Sequence, residues 1–451
     1  MPAGQLDLAS LDLLREAAAR LEEGFSHLPA FDPLPVDQSA MRKVILEVAE
    51  RMHDNYPYFH PQYAGQMLKP PHPMARLAYA LAMWINPNNH ALDGGRASSQ
   101  MEKEAVAELA RMFGWETYLG HLTGGGTMAN LEALWIAGQL QPDGVTVASE
   151  QAHYTHRRIS SVLKLPFESV RCDRFGRMDP AALEDRLRAG GVTTVVATLG
   201  TTATGSVDPL PEILALRERY GFRLHADCAY GGYYGLASNL APAARSAFDR
   251  LSLVDSIVID PHKHGLQPYG CGCVLFRDPG VGKFYKHDSP YTYFSSKELH
   301  LGEISLECSR PGAAAVALWA TQRLLPLVPG GEFAGMLSDC RTAALALYDR
   351  LTMDKRFVPA FTPELDIVVW AVKARTISRA SEAARRIFAD AAKRDLHLAL
   401  AELPARYFSR EIESSGRDVA VVCLRSVVMK PGQAAWTTHI SDYFDQETVA
   451  S

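Results

Sequence analysis

The stretch that decides the fold is DSIVIDPHKHGLQPYG, residues 255–270. Four apolar or small residues, Ser256-Ile257-Val258-Ile259, read as a short buried strand, and Asp260-Pro261 ends it. His262, Lys263 and His264 follow at once. Lysine is rarely buried, so a lysine read alone belongs on the surface. One delivered from the end of a buried strand is instead positioned to meet a ligand, because open α/β sheets bind ligands beyond the carboxyl ends of their strands.

Working outward, strands and helices alternate on both sides. VTTVVATL (Val192–Leu199) is largely β-branched and reads as a buried strand. DPAALEDRLRAGG before it has Asp179 as N-cap, Pro180 at the first helical position and Gly190 past the end. PEILALRERYG reads as a helix, and FRLHAD and CGCVLF as further strands. Ser99-Gln100-Met101-Glu102 has capping-box spacing and is expected to open a helix that runs through Phe113 to Gly114. This alternation predicts an α/β fold, a mostly parallel central sheet flanked by helices. Residues 1–55 read as an N-terminal helical segment, LDLLREAAARLEEGF and QSAMRKVILEVAERMHDNY split by a proline-rich link. Such helices pack either on a partner subunit or on their own core. After VPGGEF the pattern changes, which divides the chain into a large domain (56–330) and a small α+β domain (331–451).

Bulk properties narrow the function. The chain has 451 residues, 47% of them apolar and 22% charged, with a net charge of -5. That balance is ordinary for a globular protein and argues against nucleic acid as a partner, which requires clustered positive charge. The basic stretch ARTISRASEAARRIF reads as a solvated helix face. Seven scattered cysteines, with only Cys271 and Cys273 close together, give no zinc pattern and suit free thiols in a reducing compartment. With no apolar run of about twenty residues and no leader pattern, no membrane association is expected and a cytoplasmic location is.

Four places can carry chemistry. HLTGGGTMANLEALWIAG sets a glycine run between Thr123 and Thr127, ahead of a helix with Leu131, Leu134 and Trp135 on one face and Gly138 as its expected stop. Exposed backbone N–H groups at a helix start bind anions, yet this is not the nucleotide loop, because no Lys-Ser or Lys-Thr follows. Asp227 ends the strand of RLHADCAYGG, where an aspartate alone is an ordinary turn residue. His153 follows the strand VTVAS, where a lone histidine is ordinarily structural. Lys263 is the fourth. Together they match the needs of pyridoxal phosphate: a cradle for the phosphate, a ring for stacking, an acid for the pyridine nitrogen and a lysine for the aldehyde.

The motifs TGGGTMAN, EQAHYTHRR, ATLGTTATGSVD, HADCAYGG and DPHKHG, in this order, resemble those of the group II pyridoxal-phosphate amino-acid decarboxylases, which have fold type I. The resemblance spans about residues 55–330 and continues more faintly to CLRSVVMKPGQ. It implies that Lys263 joins the cofactor aldehyde with His262 beside it, Asp227 pairs with the pyridine nitrogen, Ala229 packs under the ring and His153 stacks above it. Thr202 is implied near the polar edge, with Gly125, Gly126 and Thr127 on the phosphate. A loop tyrosine that returns a proton after carbon dioxide leaves is implied at Tyr291 or Tyr293, with Tyr291 preferred from the text SPY. Two departures stand out: Gly124 where relatives commonly have serine, and His264 where they often have an aromatic residue.

The implied function is decarboxylation of an L-amino acid to its amine in a cytoplasmic homodimer with the site at the subunit interface. Tyr58, Phe59, His60, Tyr63 and His90 resemble the family's substrate-pocket text, and an aromatic substrate follows if they line it. Arg310, in SRPG, is implied to support the phosphate, the substrate or the dimer contact. NNHALDGG and SRPG also resemble the sphingosine-phosphate lyases, so carbon–carbon cleavage is the enzymatic alternative. Aldehyde formation at the same site is another. A non-catalytic binding protein is the alternative from a different class, and the full lysine, aspartate and histidine set argues against it.

Overall fold

The computed structural model describes residues 6–32, 34–90, 94–286, 305–408, 419–430 and 432–437. The chain starts with helices α1 (Ser10–Glu23), α2 (Gln38–Met52), α3 (Pro73–Met83) and α4 (Arg96–Met112). The alternating region follows: β1 (Leu119–Thr123), α5 (Gly126–Leu140), β2 (Val145–Ser149), α6 (Thr155–Leu163), β3 (Phe167–Val170), α7 (Pro180–Arg188), β4 (Val192–Thr198), α8 (Leu210–Tyr220) and β5 (Arg223–Asp227). It closes with α9 (Pro242–Phe248), β6 (Ser256–Ile259) and β7 (Gly272–Phe276). These strands form one seven-stranded sheet in the order β1-β7-β6-β5-β4-β2-β3. Only β7 runs against its neighbours, β1 and β6, and the remaining pairs are parallel.

The sheet is buried on both faces, as its β-branched text requires. Val195, Val196 and Ala197 of β4 are wholly inaccessible, as are Ile257, Val258 and Ile259 of β6. Each large side chain so buried contributes about 1.5–3 kcal/mol relative to exposure. Local signals hold where the partner is close in sequence. Asp179 accepts from the Ala181 N–H at 2.9 Å and caps α7, and Gly221 ends α8 in the left-handed region.

Two local expectations fail. Helix α4 begins at Arg96, three residues before the capping-box serine, and Glu102 is drawn into the interior by distant partners. Helix α5 runs past Gly138 to Leu140. A Cβ at 138 would stand 2.7 Å from Leu165 Cδ2, so this glycine permits close packing and does not stop the helix.

Beyond β7 come α10 (Gly312–Leu324), α11 (Glu332–Met353), β8 (Phe357–Pro359), β9 (Ile367–Val372), α12 (Ile377–Ala392), β10 (Ala399–Pro404) and β11 (Ala420–Val427). The last four strands make a separate antiparallel sheet in the order β10-β11-β9-β8. Helix α12 buries Ala380, Ala384, Ile387 and Ala391, while its arginines 379, 385 and 386 stay exposed. The segment around Tyr63 joins this smaller sheet: Tyr63 bridges to His397, and Ala64 belongs to its core. In contrast, α1 and α2 bury none of their residues.

Candidate active site

A cavity of about 560 Å³ opens beyond the carboxyl ends of β4, β5 and β6. Gly124–Met128, His153, Thr155, Thr198, Gly200, Thr202, Asp227, Ala229, Asp260, His262, Lys263 and Glu307 are among its wall residues. Nine sequence-predicted positions therefore share one wall: Gly125, Gly126, Thr127, His153, Thr202, Asp227, Ala229, His262 and Lys263. Parallel strands achieve this, because each ends at the same edge of the sheet.

The glycine run forms the start of α5. Gly125 has φ of +146°, a conformation open to glycine and strained for other residues. Gly126 packs so closely on Asp260 that a Cβ there would lie 2.6 Å from Oδ2. The result is a helix N-terminus stripped of side chains, with N–H groups and a partial positive charge facing the cavity. Glu307, also on the cavity wall, meets it there: its Oε2 accepts from the Gly124 N–H at 2.8 Å. A Cβ at 124 would be 2.9 Å from Glu307 Oε1, the movable end of that side chain.

Asp227 and Lys263 lie on the same cavity. Asp227 Oδ2 accepts from His156 Nε2 at 2.8 Å, and Oδ1 from the Ala229 N–H at 3.1 Å. Burial pushes this carboxyl upward, but the His156 hydrogen bond, with the charges of His156 and Lys263, holds it below the ordinary carboxylate range. Lys263 Nζ lies 3.1 Å from Asp260 Oδ2, and His262 Nε2 lies 3.5 Å from the same oxygen. Burial lowers the pKa of both His153 and His262, favouring their neutral forms. His153 is tied to its neighbour by the Thr155 N–H, 3.3 Å from Nδ1.

The set suits a phosphorylated pyridine aldehyde. It offers an anion cradle of glycine N–H groups with the Thr127 side chain beside them, a buried carboxylate held anionic on the floor, and a lysine nitrogen on the wall. Asp260 Oδ1 and His262 Nδ1 are buried with no hydrogen-bond partner among the described residues, which leaves polar capacity beside that lysine.

A model of the family described as "Pyridoxal-dependent decarboxylase conserved domain" matches residues 135–373, more than half of the chain. The chain belongs to this decarboxylase family. Its cofactor is pyridoxal phosphate, and it is a pyridoxal-phosphate-dependent amino-acid decarboxylase. It is 27% identical to an L-tyrosine decarboxylase of Enterococcus faecium, over 77% of this chain and 76% of that one. It is 28% identical to an L-2,4-diaminobutyrate decarboxylase of Acinetobacter baumannii, over 71% of this chain and 68% of that one. The solved structure of Oryza sativa TDC with PLP and tryptamine shares the fold, with a TM-score of 0.79, 17% identity and 99% of each chain covered. The pyridoxal-dependent decarboxylase fold is thus fold type I, as its motifs imply.

Other sequence-predicted residues of this decarboxylase stand elsewhere. Arg310 is buried and bonded to Glu102 Oε1 at 2.6 Å, the Leu122 carbonyl at 2.7 Å and the Asn89 carbonyl at 3.2 Å. Tyr63 packs beside Tyr58 and His397, and its hydroxyl accepts from the Gln66 N–H. His90 is half-buried near Gly94. None of these three is in the cavity wall. Tyr291 and Tyr293 lie outside the described residues. Sequence reasoning missed Asp260, His156 and Glu307. Asp260 reads as a strand terminator, although DPHKHG puts it three residues before the lysine. His156 and Glu307 are brought in by distant contacts, for which the sequence carries no local signal.

Proposed function

We propose that this chain converts an L-amino acid to its amine and carbon dioxide, with Lys263, Asp227 and the glycine cradle acting as one cofactor site. The supporting observation is that these residues, from three separate motifs, line one cavity at the carboxyl edge of the sheet. When bound, the cofactor supplies an electron sink for the pair left when the bond between Cα and the carboxylate breaks.

The chain's own residues then have definite tasks. The N–H groups at Gly125 and Gly126, with the Thr127 hydroxyl, would hold the phosphate. Lys263 Nζ would hold the aldehyde end, and Asp260 orients that nitrogen from 3.1 Å. Asp227 would keep a proton on the pyridine nitrogen. His153 would cover one face of the ring and Ala229 the other, with Thr202 and His262 at its edges. Holding the Cα–carboxylate bond perpendicular to the ring makes decarboxylation the favoured outcome, so positioning selects the reaction. Tyr291 is the proposed source of the proton returned to Cα.

An aromatic L-amino acid is the proposed substrate, on the likeness to the Enterococcus faecium enzyme and not on Tyr63 or His90. A homodimer is proposed because α2 leaves Met41, Val44, Ile45 and Val48 exposed, an apolar surface suited to a second copy. A cytoplasmic location is proposed from seven cysteines, none in a disulfide. We also propose a domain division near residue 330, where the helix α11 leads into the smaller sheet.

The test is carbon dioxide and amine release by cofactor-loaded protein on a panel of L-amino acids that includes tyrosine, tryptophan, aspartate and 2,4-diaminobutyrate. Equal amounts of amine and carbon dioxide support the reading. Aldehyde and ammonia in place of amine would contradict it, as would no release from any amino acid.

A further inference from the structure

His156 is a buried histidine to which the motifs assign no task. It sits in the first turn of α6, wholly inaccessible to solvent, and its Nε2 lies 2.8 Å from Asp227 Oδ2. An ionised carboxylate only accepts hydrogen bonds, so Nε2 carries the hydrogen and donates it. The other oxygen of Asp227 takes the Ala229 N–H. His156 is therefore the one side-chain donor on Asp227 among the described residues. The neighbouring buried histidine, His225, is committed elsewhere: its Nε2 pairs with Asn130 Oδ1 at 2.8 Å and its Nδ1 with Ser256 Oγ at 2.9 Å.

A charge this deeply buried needs donors to remain charged. Two fixed donors, one on each oxygen, also fix how the carboxylate is rotated about its Cβ–Cγ bond. Without His156 the carboxylate would keep a single backbone donor and could turn away from the cavity. We propose that His156 is a positioning residue that aims the Asp227 carboxylate and keeps it anionic toward the protonated pyridine nitrogen of the cofactor. This rests on the reading of Asp227 given under Proposed function.

The contrast with a packing role is chemical. Leucine at 156 fills similar space but cannot donate, whereas the amide of glutamine can. The test loads cofactor labelled with 15N at the pyridine nitrogen into the wild type, His156→Leu and His156→Gln. It reads the 15N chemical shift and the cofactor dissociation constant. In the wild type the shift of a protonated nitrogen is expected. In His156→Leu it should move toward the unprotonated value, with cofactor binding weakened at least fivefold, and His156→Gln should restore most of both.

A wild-type shift and affinity in His156→Leu would overturn the proposal. So would a glutamine variant no better than leucine. An unprotonated nitrogen already in the wild type would instead overturn the reading of Asp227 itself, so the two failures are distinguishable. If the leucine variant does not fold, the wild type carries the test. The His156 Nε2–H proton resonance should move when cofactor is loaded, and an unmoved resonance would overturn the proposal.

Discussion

Glu307 Oε2 accepts a hydrogen bond from the Gly124 N–H at 2.8 Å, so a carboxylate borders the anion cradle. Its charge repels any phosphate held by the same helix start. At an effective dielectric of about 20, a unit charge several ångströms away is worth ~1–3 kcal/mol before screening by salt. Glu307→Gln is expected to tighten cofactor binding by roughly threefold to tenfold, with the gain shrinking as salt is raised. A fluorescence titration of cofactor against the apoprotein measures this. Unchanged or weaker binding would show that the carboxylate does not oppose the phosphate.

Gly272 is outside the cavity wall, yet a Cβ there would lie 2.5 Å from the Gly125 carbonyl carbon and 2.7 Å from Thr123 Oγ1. Both neighbours are parts of the cradle that cannot move without reshaping it. Gly272→Ala should therefore weaken cofactor binding by about tenfold, in line with the ~1–3 kcal/mol that overpacking costs. Its circular dichroism spectrum should remain that of the wild type. Normal affinity in a folded variant would mean that the cradle tolerates the shift.

Arg310 and Glu102 form a buried pair at 2.6 Å, and Glu102 also accepts from Asn89 Nδ2 at 2.6 Å and the Leu122 N–H at 3.0 Å. Removing the cation strands a carboxylate in the interior, which costs about 3 kcal/mol or more. Arg310→Met should lose that much stability in chemical denaturation, and adding Glu102→Gln should recover part of it. Strictly additive losses would show that the two residues are not energetically coupled.

Lys430, just past the end of β11, gives a pH signature. Its ammonium group donates to the Tyr63 carbonyl and lies 5.1 Å from the centre of that ring. Burial, followed by the charge of Lys69, pushes its pKa down to about 7. In the unfolded chain a lysine keeps its proton to about pH 10. Between these limits the unfolded state binds a proton that the folded state lacks, so this group's contribution to stability rises with pH from 7 to 10. Below 7 its penalty is full and constant. Melting curves should show Lys430→Met gaining most on the wild type below pH 7, and losing that advantage as pH approaches 10. A difference independent of pH would contradict the lowered pKa.

Much of the fold was legible because its signals are local. Asp179-Pro180 caps a helix with its own next residues, and the β-branched run of β4 needs only burial to become a strand. That nine of the expected residues share one cavity was legible because each follows a strand end in its own motif. What escaped depends on partners far away in the chain. Glu102 has the spacing of a capping residue, but Arg310, 208 positions later, draws it inward, and that contact keeps Arg310 off the cavity wall. His156 looks like one more polar residue at a helix start until β5 brings Asp227 within 2.8 Å.

The central claim is that Lys263 holds the cofactor, and one measurement tests it directly. Cofactor-loaded protein is reduced with borohydride, which fixes the pyridoxyl group to whichever lysine carries it, and the peptides are then mapped by mass spectrometry. The label is expected on Lys263, at one per chain, and absent when Lys263→Ala is treated in the same way. A label on Lys69, Lys430 or any other lysine, with Lys263 unmodified, would contradict the assignment of the site.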